Sequence, residues 1–209
     1  MRIAERDYVE HWVVCITGYM QGEGRRTGLQ TLQYAISEKC HGPHTRILLK
    51  AWRDDMDALA ERIWIYQHPE RTPRITIAGY SYGGYTATLL CSELAERGLF
   101  VENLFLVDPV WRPKASWASP LSLLRDWTIF VPSNVRKVWY WHQIANSRLM
   151  PQGHKIKLES DSTLWINRDE PPRRESHLYI DDAQAIHKAV LAEAYPHLNP
   201  VVEGMKTHG

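Results

Sequence analysis

Short apolar runs of strand length alternate along the chain with segments whose apolar residues recur every three or four positions. Residues 12–17 (Trp-Val-Val-Cys-Ile-Thr) form the first run and lead into a loop at 18–24 that contains three glycines. From Thr27 to about Lys39, Leu29, Leu32, Ala35 and Ile36 have helical spacing, and His41, Gly42 and Pro43 stop that helix. A strand is predicted over 46–51. Asp54 or Asp55 then caps a helix that carries Met56, Leu59, Ala60 and Ile63 on one face. Residues 74–78 make a buried strand, and a helical pattern runs from about Tyr85 to Arg97, where Gly98 supplies a left-handed cap. Residues 103–107 (Asn-Leu-Phe-Leu-Val) predict a fourth strand and 135–143 a fifth. Residues 155–167 alternate but are broken at Asp161 and Ser162, which predicts a hairpin or a last strand at 163–167. The charged stretch 169–176, with Pro171 and Pro172, reads as a loop. A final helix begins at Asp181 or Asp182, carries Ala183, Ile186, Val190 and Ala194 on its apolar face, and is ended after Tyr195 by Pro196.

Strands alternating with helices build βαβ units, so the expected fold is α/β, with a single, mainly parallel sheet of about six strands flanked by helices. The length, 209 residues, suits one domain over 1–209. The least regular part is 111–133, with Pro113, Pro120 and Pro132, and is expected to be an insertion or lid over the sheet edge. The hydrophobic share of 44% and the charged share of 23% are ordinary for a soluble globular protein. A net charge of +1 offers no electrostatic reason to expect nucleic acid or an anionic membrane as partner, and nothing sets an oligomeric state. No run approaches the roughly 20 apolar residues of a membrane span. Residues 1–10 mix acidic and basic side chains, unlike a secretion signal, so a cytoplasmic location is expected. The three cysteines, Cys15, Cys40 and Cys91, have no metal-ligand spacing and read as reduced core thiols. Neither G-x-x-x-x-G-K-[ST] nor H-E-x-x-H occurs, and the ten histidines are scattered.

The stretch with the most chemical content is 75–84, Ile-Thr-Ile-Ala-Gly-Tyr-Ser-Tyr-Gly-Gly. An apolar strand precedes Gly79, Ser81 and Gly83 in the order G-x-S-x-G, and a helix follows. A sharp strand-to-helix turn would lift the Ser81 hydroxyl out of the backbone, and a Cβ at either glycine would collide with the neighbouring strand or helix. The plainer alternative is a glycine-rich turn whose serine caps the helix. At these residues the chain resembles the α/β-hydrolase superfamily, in its lipase and esterase branch. The resemblance runs from about Trp12 to Tyr195 and is sharpest at 79–84.

The resemblance implies an acyl-transfer hydrolase with the chain order nucleophile, acid, histidine. Ser81 would be the nucleophile. His177, on a polar loop ahead of the last helix, would be the base, while His41, His44, His68, His154 and His208 read as surface loop histidines. The acid is expected at the end of a strand after the nucleophile. Asp108 follows 104–107 directly, and Pro109 is expected to keep it extended; Asp161 is the alternative, ahead of Asp126 and Asp169. The oxyanion donors would be the N–H groups of Tyr82 and of Tyr19, with Met20 close behind; the family's histidine before Gly18 is missing here, and Thr17 stands in its place. Tyr80 and Trp111 are expected to bind substrate. Trp111, Trp117, Trp127, Phe130, Trp139 and Trp141 would line an apolar acyl pocket or pack as ordinary core. The implied substrate is a small acyl ester or thioester, with no cofactor. An inactive binding or assembly module on the same fold and an acyltransferase remain alternatives.

Overall fold

The computed structural model describes residues 8–19, 21, 27–39, 42–111, 127–144 and 154–198. In chain order the elements are β1 (His11–Thr17), α1 (Gly28–Lys39), β2 (Thr45–Ala51), α2 (Met56–Ile65), β3 (Arg74–Tyr80), α3 (Tyr82–Glu96) and β4 (Val101–Val107). They continue with β5 (Thr128–Val131), β6 (Val135–Trp141), β7 (Lys155–Leu158), β8 (Leu164–Trp165), a 3-10 turn (Ile180–Asp182) and α4 (Gln184–Leu198). Six strands form one sheet in the order β2-β1-β3-β4-β6-β8, and every pairing in it is parallel. Four helices flank it, so the fold is α/β with a mainly parallel sheet.

Alternation along the central strands divides the core into two layers. Val14, Ile16, Ile77, Leu104 and Leu106 face α2 and α3, where Leu59, Ile63, Leu90 and Leu94 are buried. Val13, Cys15, Ala78, Phe105 and Val107 face α1 and α4, where Leu32, Ile36, Ile186 and Val190 are buried. The two described cysteines, Cys15 and Cys91, are buried free thiols. Among the described residues no helix is long and apolar enough to cross a membrane.

The chain leaves β1 for β2 on one side and returns to β3 on the other, so the direction of winding reverses between β1 and β3. In open parallel sheets that reversal opens a crevice at the carboxyl ends of the strands. Gly18 follows β1 and Ser81 follows β3, one on each side of the crevice.

Several elements depart from the sequence expectation. α3 begins at Tyr82, a turn before Tyr85, because β3 passes into it through one residue, Ser81. Of the two expectations for residues 155–167, the hairpin does not form and the last strand does, as β8. β7 pairs in parallel with β5 in a separate two-stranded sheet, whereas β8 joins the edge of the main sheet on β6. The strand β5 falls inside the stretch expected to be irregular; it is four residues long, with a period-2 burial pattern, and Pro132 closes it. The remainder of the expected lid, 112–126, lies outside the described residues. α4 runs through Pro196 to Leu198, since a proline near a helix end removes one backbone donor without forcing the last turn to open. The helix does not begin at Asp181 or Asp182 but at Gln184, and Asp181 is buried in the 3-10 turn ahead of it.

The elbow tolerates no added side-chain volume. A Cβ on Gly83 would stand 2.4 Å from the Ile16 carbonyl oxygen, and one on Gly79 would stand 2.4 Å from the Gly83 carbonyl oxygen. Gly83→Ala is expected to lower stability by about 1–3 kcal/mol, read as a lower urea midpoint with an unchanged m-value.

Candidate functional site

Ser81 occupies φ 55°, ψ −127°, a conformation an L-residue holds only when its surroundings over-determine it. Three backbone bonds do so. The Ser81 N–H donates to the Val107 carbonyl at 3.0 Å, and the Ser81 carbonyl accepts from Gly84 and Val110, each at 2.9 Å. Ser81 makes no side-chain capping bond to α3, which disposes of the reading in which it serves only as a helix cap. Its Oγ is instead 2.9 Å from His177 Nε2.

His177 lies in a turn where Tyr179 and Ile180 both donate to the Ser176 carbonyl. The preceding loop is fastened to the chain after β6 by Arg173 N–H to the His142 carbonyl and Ile144 N–H to the Arg173 carbonyl. His177 Nδ1 is 2.5 Å from Asp108 Oδ2. The Asp108 side chain is fully buried, and its other oxygen accepts the Gln143 N–H at 3.2 Å. Ser81, His177 and Asp108 therefore stand in one continuous hydrogen-bonded chain. Asp161 is exposed in the turn between β7 and β8, and Asp169 is exposed as well; Asp126 lies outside the described residues.

Asp108 is not extended, as Pro109 had suggested; its φ is +45°. Its N–H donates to the Trp141 carbonyl at 2.6 Å on one side, and Val110 is tied to Ser81 on the other, so tertiary bonds override the local preference.

The loop after β1 lies against the serine. A Cβ on Gly18 would be 2.8 Å from Ser81 Cβ, so only glycine admits this approach. Tyr82 is the first residue of α3, where helix N–H groups lack intrahelical partners and the helix dipole is positive. Tyr19 is about half exposed. Met20 lies outside the described residues.

Tyr80 is not at the crevice mouth. It is buried beneath His177, with the two ring centroids 5.2 Å apart, and its hydroxyl donates to the His177 carbonyl. Burial first, then the carboxylates of Asp181, Asp108 and Asp182, push its hydroxyl well above the usual phenol range. A partly buried aromatic ribbon is formed by other rings. Centroid contacts run from Tyr19 to Trp52 (5.4 Å), Trp52 to Tyr82 (4.9 Å), Tyr82 to Tyr85 (5.8 Å), Tyr85 to Trp111 (5.5 Å) and Trp111 to Trp127 (5.0 Å). This ribbon passes directly beside Ser81 at Tyr82, whose hydroxyl is raised by burial and then by Tyr85 and stays neutral.

Trp139 and Trp141 do not join the ribbon; they stack with Phe105 inside the sheet layer. Phe130 is about half exposed on the small sheet, beneath the Lys157 amine. Trp117 lies outside the described residues. His154 is no surface histidine: it is buried, and its Nε2 lies 2.8 Å from the Trp111 carbonyl.

Sequence reasoning missed Gln143, Trp52, Tyr85, Gln21 and the burial of Asp181. Gln143 acts through its backbone and leaves no residue-type signal. Trp52 directly follows β2 and so stands at the carboxyl end of a strand, a position that could have drawn attention to it.

No family model and no curated protein matches the chain. Among solved structures, the crystal structure of human thioesterase 2 is similar over 96% of this chain and 100% of that one, at 15% identity and a TM-score of 0.40. A likeness that loose has no bearing on the chemistry.

Burial raises the Asp181 carboxyl above the usual carboxylate range, with Asp182 adding to the rise and hydrogen bonds from Gln21 and Gly28 opposing it. A raised native pKa means that the folded state holds the proton more tightly than the unfolded one, so this group costs stability as pH rises through its titration. The stability of the wild type relative to Asp181→Asn is expected to decline from acid to neutral pH, read from urea unfolding across that range.

Proposed function

We propose that the chain is a serine hydrolase of the α/β-hydrolase type that cleaves a small acyl ester or thioester. The observation that carries this reading is the bonded chain from Ser81 Oγ through His177 to buried Asp108, headed by a serine held at positive φ between a strand and a helix. Ser81 Oγ attacks the acyl carbonyl carbon while its proton passes to His177 Nε2. The tetrahedral intermediate collapses, the carbon–oxygen or carbon–sulfur bond breaks, and the leaving alcohol or thiol takes the proton from His177. Water then gives a proton to His177 and attacks the acyl-serine. The acid departs and Ser81 recovers its proton. The reaction requires no cofactor.

Asp108 holds His177 in the tautomer with its proton on Nδ1 and stabilises the imidazolium that forms. The Gln143 N–H on the second carboxylate oxygen supports that role by fixing the rotation of the carboxyl group. The N–H groups of Tyr82 and Tyr19 receive the oxyanion. The approach of Gly18 to Ser81 supports the assignment of Tyr19, because it brings the loop within reach of a carbonyl bonded to Oγ. The ribbon around Tyr82 takes the apolar part of the substrate, with Trp52 and Trp111 as its broadest surfaces; Tyr80 acts from beneath, through His177.

The test is hydrolysis of short and medium p-nitrophenyl esters, with intact mass after fluorophosphonate treatment. Ser81→Ala and His177→Ala are expected to lose turnover by about 10⁴-fold or more, and Asp108→Asn by about 10⁴-fold. One label is expected on the wild type and none on Ser81→Ala. Well-folded wild type that neither turns over nor labels would sink the reaction and leave a binding module on this fold.

Trp52→Ala is expected to raise KM about fivefold for the octanoate ester while leaving the acetate ester nearly unchanged, since only the longer acyl chain extends past Tyr82 to Trp52. Equal effects on both esters would remove Trp52 from the acyl surface.

A further inference from the structure

Three separate segments meet on one buried carboxylate close to the serine. Asp181 Oδ2 accepts the Gly28 N–H at 3.1 Å, at the start of α1, and the Gln21 Nε2 at 3.0 Å. Gln21 in turn holds Gly18 by two bonds. Its Oε1 accepts the Gly18 N–H at 3.1 Å, and its backbone N–H donates to the Gly18 carbonyl at 3.3 Å. Asp181 itself belongs to the turn that follows His177 and is 1% exposed, with Oδ1 lacking a hydrogen-bond partner among the described residues. Burying a carboxylate with one oxygen unsatisfied is costly, and the bond from the Gly28 N–H, a donor with no intrahelical partner at the start of α1, offsets part of that cost. Capping α1 accounts for the bond to Gly28 and leaves the bond to Gln21 to be explained.

The position of Gly18 supplies a reason. The peptide between Gly18 and Tyr19 is planar and trans, so its N–H points opposite its C=O. Once the Gly18 carbonyl is fixed on the Gln21 N–H, the direction of the Tyr19 N–H is fixed as well. The Gly18 N–H, held on Gln21 Oε1, fixes the peptide before it. Both peptides flank Gly18, where an added Cβ would stand 2.8 Å from Ser81 Cβ.

We propose that Asp181, acting through Gln21, is a positioning residue that aims the Tyr19 N–H at the oxyanion. It does not touch the substrate. This inference rests on the hydrolase reading above. One carboxylate joins the oxyanion loop, the start of α1 and the His177 turn, so the donor and the base keep a constant separation during the reaction. An interaction of this kind acts on the transition state more than on the bound substrate, and its loss lowers kcat with little change in KM.

The experiment measures kcat and KM on p-nitrophenyl butyrate for wild type, Gln21→Leu, Asp181→Leu, Asp181→Asn and the double Leu variant, with Tm and fluorophosphonate labelling on each. Gln21 is only partly buried, so Gln21→Leu keeps the fold even if Asp181→Leu does not. Gln21→Leu is expected to lower kcat about ten- to hundredfold, part of the effect of deleting an oxyanion donor, with KM within about twofold. Asp181→Leu should match it, and the double variant should be no slower than the slower single variant, because the two residues act as one unit. Asp181→Asn keeps an acceptor for both N–H groups and should retain most of kcat. Wild-type turnover and Ser81 labelling together with an unimpaired Gln21→Leu overturn this proposal alone. A double variant as slow as the product of the single effects overturns it as well. Absence of Ser81-dependent turnover in the wild type overturns both the proposal and the reaction on which it rests.

Discussion

Ser81 and Asp108 follow adjacent parallel strands, both at positive φ, and the backbone of Ser81 is bonded on both sides of Asp108. The Ser81 N–H reaches the residue before Asp108, and the Ser81 carbonyl receives the N–H two residues after it. Neither conformation is locally favourable, and each costs on the order of 1–3 kcal/mol. Together they form a closed backbone link that neither strand could hold alone. The link sets the spacing of the hydroxyl and the carboxylate, and the imidazole of His177 fits between them. The link also depends on missing atoms, because Gly79 and Gly83 let α3 start directly on top of β1 and β3.

Charge is handled differently at the two buried carboxylates of this region. Asp108 has both oxygens engaged, one by the imidazole and one by a backbone N–H, so its burial is matched by bonds. Asp181 has one oxygen engaged twice and the other without a hydrogen-bond partner among the described residues. Fully satisfied buried groups hold a structure rigid, while a half-satisfied one is destabilising, and such sites collect where a geometry is needed for another purpose. The neutral Tyr80 phenol lies against the His177 ring and is held neutral by burial and by both carboxylates.

The aromatic ribbon has its own logic. Its rings come from the loop after β1, the end of β2, the first turn of α3 and the chain after β4, all at the carboxyl edge of the sheet. Contacts between tilted and edge-on rings let each residue support the next while leaving part of its surface exposed. His154, buried just ahead of β7, has its Nε2 on the Trp111 backbone carbonyl and so ties the far part of the ribbon to the small β5–β7 sheet.

The periodicity of the chain by itself determined the α/β class, the central strands and the buried faces of α2 and α4, because those features follow from local spacing of apolar residues. The G-x-S-x-G order also marked the elbow, since glycine is the residue that close backbone approach demands. Tertiary structure alone decided how β7 and β8 divide between two sheets, because short strands choose partners by long-range pairing that leaves no trace in their own pattern. It alone turned Asp108 to positive φ against the preference set by Pro109, through bonds to Trp141 and Val110. It took Tyr80 from the crevice and gave its hydroxyl to the His177 backbone. It also moved Asp181 from an expected helix start to the junction of three segments, a role that depends on which chain segments meet in space and not on the residues beside it.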